Sequence, residues 1–174
     1  MSTPTLSPRL TRSWRTVHTT EAITIAAHPD LLVALYLDYE RWPELFPATI
    51  RGVRILGRND SEATVEVDHR TEGRVMNVVR QRAPHEIELR ERKPRYSATF
   101  VNRFDAAGDG TLYTVIADVR LAMPYALLAP VAGLIVRRAV RRHVLEPMRA
   151  AAERVAPVRG EEGAARAARS TDEL

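Results

Sequence analysis

Residues 38–47 read DYERWPELFP, and the fold turns on how this stretch is read. Tyr39, Trp42 and Phe46 crowd together in a chain that is only 6% aromatic. Pro43 and Pro47 break and then stop a short helix here. Just upstream, HPDLLVALYLD (28–38) puts Pro29 in a first helical turn and Leu31, Leu32, Leu35 and Tyr36 at helical spacing. Further upstream, WRTVHTTEAITIAA (14–27) gives Val17, Ile23 and Ile25 one parity, the mark of a half-buried strand. The corner therefore joins a strand and two short helices to whatever follows.

Six runs rich in β-branched residues follow, each closed by a turn signal. They are TIRGVRILGR (49–58), EATVEVDHRT (62–71), RVMNVVRQR (74–82), EIELRER (86–92), YSATFVNRFDA (96–106) and TLYTVIADVRLAM (111–123). Short turns between consecutive strands predict an antiparallel meander. The last element, 124–155, is one long helix with an apolar stripe of Leu128, Val131, Ile135, Val144, Met148, Ala152 and Val155, kinked at Pro147. The fold class is α+β: a curved seven-stranded antiparallel sheet wrapped around the C-terminal helix, with two short helices between strands one and two. Residues 14–156 form the domain, 1–13 a flexible tail and 157–174 a disordered one. A sheet curved around one helix leaves a cavity between them, a place for a small molecule.

Composition narrows the classes. The net charge of +4 comes almost wholly from arginine, since Lys93 is the only lysine. Basic and acidic residues alternate instead of gathering on one face, which argues against nucleic acid. There is no cysteine, and the five histidines are scattered, so neither a disulfide framework nor a metal site is expected, and no cofactor is implied. The N-terminus lacks an apolar leader and the longest apolar run, 122–136, is too short to span a bilayer, which favours a cytoplasmic protein, monomeric or homodimeric. Arg137, Arg138, Arg141 and Arg142 read as a solvated helix face. Their functional alternatives are an anionic headgroup, an acyl-carrier protein or, less favoured, a membrane surface.

Strand parity supplies the pocket. Inward positions are Val65, Val67 and His69; Ile87, Leu89 and Glu91; Tyr96, Ala98, Phe100, Asn102 and Phe104; and Tyr113, Val115, Ala117, Val119 and Leu121. Strand four is ambiguous, Met76 and Val78 competing with Val75 and Val79. His69, Glu91, Asn102, Tyr96 and Tyr113 would then orient a hydrophobic molecule bearing carbonyls or hydroxyls. At the corner, Trp42 and Phe46 read more as core anchors than ligand contacts, and Tyr36 and Tyr39 as candidates for the cavity entrance.

ITIAAHPDLLVALYLDYERWPELFP (23–47), VRIL (53–56) and GTLYTVIADVRL (110–121), with the terminal helix, resemble the helix-grip superfamily. That group contains START lipid-transfer domains, plant pathogenesis-related allergens and bacterial polyketide cyclases/aromatases. The likeness spans most of 14–155, and the Asp38–Pro43 block is its most specific part. GRVMNV (73–78), preceded by Arg70, is similar to the aromatase/cyclase branch, which implies a pocket arginine at Arg70. The branch's tryptophans do not carry over: Met76, Val78 and Asn102 stand at those positions, and Thr49 lies near where a tyrosine is missing. The resemblance implies a hydrophobic ligand, free or presented by an acyl-carrier protein. The reaction it implies is a metal-free cyclisation or dehydration, with His69 as base and Arg70 or a tyrosine as donor. Alternatives are a non-catalytic lipid or quinone carrier and a protein-interaction or ribosome-associated role. His69 and Arg70 are adjacent, so a regular strand sends them to opposite faces; parity favours His69 inward, the resemblance Arg70, and a bulge near Glu72–Gly73 would admit both.

Overall fold

The first strand, β1 (Trp14–Ile25), pairs antiparallel with the last, β7 (Gly110–Ala122), from Trp14 opposite Ala122 to Ile25 opposite Thr111. A computed structural model describes residues 14–93, 96–122 and 125–155; the tails expected at 1–13 and 157–174 lie outside the described residues. Between β1 and β7 come β2 (Ile50–Arg58), β3 (Glu62–His69), β4 (Gly73–Ala83), β5 (Glu86–Arg92) and β6 (Tyr96–Ala107). They form one antiparallel sheet in the order β1-β7-β6-β5-β4-β3-β2. Each chain neighbour from β2 to β7 is also a sheet neighbour, as short turns demand, and β1 closes the far edge beside β7.

Alternation does most of the folding work. Ala63, Val65 and Val67 on β3, Ile87 and Leu89 on β5, and Tyr113, Val115, Ala117 and Val119 on β7 are buried on one face. Each larger one contributes about 1.5–3 kcal/mol by leaving water. Register settles strand four: Val65 faces Asn77, Val67 faces Val75 and Ala63 faces Val79, so these three share the inner face. Met76 and Val78 lie on the other face, Met76 60% exposed, which corrects their expected place in the pocket.

The corner holds α1 (Pro29–Leu37), a 3-10 turn at Tyr39–Arg41 and α2 (Trp42–Leu45). His28 caps α1, its Nδ1 accepting from the Asp30 amide at 3.4 Å, and His85 of the β4–β5 turn reaches Asp30 at 2.7 Å. That contact holds the Asp30 carboxyl below its ordinary pKa.

The C-terminal helix covers the concave face in pieces. A 3-10 turn (Tyr125–Leu128) leads into α3 (Ala129–Val140), a π-helical turn (Arg141–Leu145) and α4 (Glu146–Val155). The expected kink at Pro147 takes this π form. Proline has no N–H and crowds the carbonyl four residues back, so the ladder widens just before it, with the Glu146 amide donating to Arg141. The expected stripe is corrected on α3: Ala132 and Val140 are buried, while Val131, Leu134 and Ile135 are 54–63% exposed. Among the arginines, Arg137 pairs with Glu21 of β1 at 2.7 Å and Arg141 with the same carboxylate at 3.6 Å, so half the cluster pins the helix to the sheet edge. Among the described residues, no helix is long and apolar enough to cross a membrane.

Gly110 opens β7 where the chain passes the end of β1; a methyl group there would collide with the Ile25 carbonyl oxygen. Gly110→Ala is expected to cost about 1–3 kcal/mol by overpacking, read as a lower urea midpoint. Gly57→Ala, where no atom lies within 4 Å of the added carbon, should leave the midpoint unchanged. Equal midpoints for the two variants would contradict this account of the β1–β7 junction.

Candidate functional site

Two polar groups occupy the concave face, one at each end, and they differ in whether their hydrogen bonds are complete. The first joins α1 to β6 and β7. Tyr113 donates from its hydroxyl to Asn102 Oδ1 at 2.7 Å, and Asn102 Nδ2 donates to Tyr36 Oη at 3.1 Å and to the Ile87 carbonyl at 3.3 Å. All three side chains are buried, and burial pushes both phenols well above their ordinary pKa. Aromatic rings enclose them. Phe104 stacks on Tyr113 at 4.7 Å, and Tyr36 meets Trp42, Phe46 and Phe104 edge-on at 5.7–6.4 Å. Trp42 donates from Nε1 to the Tyr36 carbonyl at 2.8 Å and meets Tyr39 edge-on at 5.4 Å.

Trp42 and Phe46 therefore anchor the core. Tyr36 and Tyr39, expected at an entrance, are 5% and 4% exposed and belong to the same closed cluster. Their distance from solvent has a simple cause: the indole bond to the backbone folds the corner back onto α1, and both phenols are carried inward. Asn102 and Tyr113 hold structure at this end.

The second group lies at the other end, between the β3–β4 and β5–β6 turns. Here the structure brings His69, Glu91 and Tyr96 together with Phe100 on the same face. It adds three residues that the sequence reading did not place in the pocket: Glu72, Asn77 and Lys93. Asn77 faces Glu91 across the β4–β5 ladder, and the Lys93 amide donates to the Tyr96 carbonyl at 2.8 Å. Lys93 Nζ donates to Tyr96 Oη at 2.7 Å and lies 3.3 Å from Glu91; it also pairs with Glu72. It sits over the Tyr96 ring at 4.9 Å. The Lys93 and Glu91 side chains are each 8% exposed, so Glu91 faces inward as half of a buried ion pair. Extending the Ile87–Leu89–Glu91 parity by one step finds Lys93, and the β3–β4 register finds Asn77.

His69 and Asn77 are the unsatisfied members. His69 Nε2 is buried and has no hydrogen-bond partner among the described residues, and neither has Asn77 Oδ1. Burial lowers the imidazole pKa from its ordinary 6.5 and the nearby Lys93 charge lowers it further, only partly offset by Glu91, Glu72 and Asp68. Tyr96 moves the other way, pushed up by burial and by the Glu91 and Glu72 carboxylates. At this end a neutral imidazole thus shares the face with a protonated phenol and a lysine paired with two carboxylates. Orphaned buried polar atoms call for a partner, and inward-facing Phe100, Tyr96 and Leu121 are only half-buried here, whereas Phe104 and Tyr113 at the other end are fully buried. The concave face is open at this end.

Arg70 does not join the group. The β3–β4 ladder runs unbroken to His69 opposite Gly73, so no bulge turns Arg70 inward. Its exposed guanidinium donates from Nε to the Pro47 carbonyl at 2.7 Å, and its amide donates to the Thr49 carbonyl at 2.9 Å. Arg70 ties the β3–β4 turn to the proline corner. Two outer grooves, of about 510 Å³ near Leu45 and Ala151 and about 430 Å³ near Thr19 and Gly133, lie away from His69.

Residues 16–158 match a family model described as polyketide cyclase/dehydrase and lipid transport. Among curated proteins, none matches the sequence. Three solved structures share the fold. The di-domain aromatase/cyclase StfQ of the steffimycin biosynthetic pathway is 18% identical with a TM-score of 0.67, over 82% of this chain and 52% of that one. The Zhui aromatase/cyclase from a Streptomyces species is 18% identical with a TM-score of 0.63, over 80% and 95%. A START superfamily protein from Mycobacterium smegmatis is 17% identical with a TM-score of 0.59, over 79% and 98%. The chain spans about half the length of the di-domain protein, and at these identities the likeness is one of fold.

The two polar ends predict opposite mutational behaviour. Tyr113→Phe removes the donor to buried Asn102 Oδ1 and should cost about 1–3 kcal/mol. His69→Gln should change stability little at pH 8 and remove part of the acid sensitivity. A group whose folded pKa is depressed contributes stability that is present above its unfolded value, near 6.5, and lost as pH falls toward the folded one. Melting temperatures of both variants across pH 8 to 5 check this; a steeper acid loss in His69→Gln than in the parent would contradict it.

Proposed function

The chain belongs to the polyketide cyclase/dehydrase and lipid-transport family, and on that premise we propose that it binds a hydrophobic, carbonyl-bearing small molecule on the open end of its concave face and promotes an aldol-type cyclisation or dehydration there. The observation that carries this reading is the buried, unpartnered Nε2 of a neutral His69 beside protonated Tyr96 and Lys93. Removing a proton next to a carbonyl needs a base that is unprotonated and donors for the oxygen where charge develops. His69 fills the first role. Tyr96 and Lys93 fill the second, in place of Arg70, while Phe100 and the valines around it receive the apolar body. The ligand arrives free or as a carrier-bound thioester.

A carrier without chemistry is the second reading, favoured by the saturation of Lys93 with Glu72, Glu91 and Tyr96 before any ligand enters.

Native mass spectrometry of the purified chain, followed by turnover of a synthetic oligo-β-ketone thioester, separates the two. His69→Gln is expected to lower turnover by about 10²–10⁴-fold, the usual contribution of a positioned base, and Arg70→Gln to leave it within a few-fold. Full turnover in His69→Gln would sink the catalytic assignment. A bound hydrophobic molecule with no turnover by the parent would establish the carrier.

A further inference from the structure

The chain carries 26 lysines and arginines, and Lys93 is the only lysine. The other 25 are arginines, while the one primary amine of a side chain sits almost buried between two carboxylates and a phenol. An ion pair alone does not call for that choice. Two carboxylates are bridged better by the planar five-donor guanidinium, and what lysine offers instead is a nitrogen that can give up its proton and attack carbon. Lys93 also follows Ile87, Leu89 and Glu91 in inward parity, with its backbone paired to Tyr96 at the open end of the concave face.

We propose that Lys93 is a nucleophilic amine that binds a ketone or aldehyde ligand covalently, as an imine. The proposal rests on the carbonyl-ligand reading above and deepens it, naming the ligand class as molecules with an unhindered ketone or aldehyde. Lys93 gives one proton to Glu91, and its nitrogen adds to the carbonyl carbon. The carbonyl oxygen takes a proton from Tyr96 and becomes the hydroxyl of a carbinolamine. The carbinolamine nitrogen returns a proton to the Tyr96 phenolate, the hydroxyl leaves as water with the proton held by Glu91, and the C=N bond forms. The ammonium and the ketone together become a protonated imine and one water, so the positive charge is conserved. The iminium keeps its positive charge beside the same two carboxylates, with one N–H left to donate to one of them. Removal of the adjacent C–H proton by His69 gives a neutral enamine, whose carbon can attack a second carbonyl; water then hydrolyses the product imine and restores Lys93. No oxidant or reductant is consumed.

The test uses the full chain and benzylacetone, a hydrophobic ketone, with cyanoborohydride to fix any iminium as a stable secondary amine. Only two amines can react, Lys93 and the chain's α-amino group. In free solution the α-amino group, with a pKa near about 8 against about 10.4 for lysine, is labelled first. The expected result is the reverse: one adduct per chain, mapped by peptide mass spectrometry to the segment containing Lys93, formed faster than labelling at the α-amino group. Lys93→Arg should lose that adduct while keeping the parent's circular dichroism spectrum, and Tyr96→Phe should slow its formation. Labelling confined to the α-amino group of the unmutated chain would overturn the proposal whatever the variants do. If turnover depends on His69 while Lys93 stays unlabelled, the imine falls and the cyclase reading stands. If Lys93 is labelled but no oligo-β-ketone is turned over, the imine stands and the cyclase reading falls.

Discussion

The hydroxyl of Tyr113 donates to Asn102, whose amide donates to Tyr36, and the rest of the molecule is arranged around that relay. It joins β7, β6 and α1 in three side chains. Buried polar groups are tolerated only when they are hydrogen-bonded, and here every polar side-chain atom has a partner and the group is ringed by Phe104, Trp42 and Phe46. One end of the concave face is thereby closed. With α1 held there, the chain runs on through α2 and the proline corner to the β3–β4 turn, where Arg70 holds Pro47, and the C-terminal helix bends at its π turn so that α4 meets α1 and α2.

The opposite end inherits the reverse property. Its groups are incompletely satisfied: His69 Nε2 and Asn77 Oδ1 are buried and have no partner among the described residues, and the Lys93 charge acts on His69. A stability argument does not account for such atoms, since each orphan costs about 1–3 kcal/mol. On the proposed function, the ligand supplies hydrogen bonds to them. The electrostatics point the same way: one environment depresses the histidine and elevates the tyrosine, leaving a base and an acid both in working form near neutrality.

Much of this was legible in the sequence, for reasons that can be traced. The seven strands and their turns followed from β-branched runs and Gly or Pro punctuation, because alternation on an antiparallel sheet with one buried face is strongly enforced. Parity placed His69, Glu91, Tyr96 and Phe100 on the concave face, and it was the better guide where family likeness pointed to Arg70. What parity could not do was break the tie in β4, where Met76 and Val78 are as apolar as Val75 and Val79; only the register against β3 decides it. Depth was equally hidden. Tyr36 and Tyr39 have the composition of a rim, and the Trp42 indole bond that buries them is a contact six residues apart that no spacing rule encodes. Likewise α3 buries Ala132 and Val140 and leaves Val131, Leu134 and Ile135 exposed, a rotation consistent with the tie of Arg137 and Arg141 to Glu21.

The central claim is that the open end of the concave face, centred on a neutral His69, receives the ligand. Nitrogen–proton correlation NMR of the histidine imidazoles, recorded at pH 6.5 with and without dibenzoylmethane, tests it most directly. The account predicts a His69 ring that is neutral before addition and whose Nε2 signal moves on binding, while His18 and His28 stay in place. A His69 that is largely protonated at that pH, or that keeps its shifts while the diketone binds elsewhere, would contradict it.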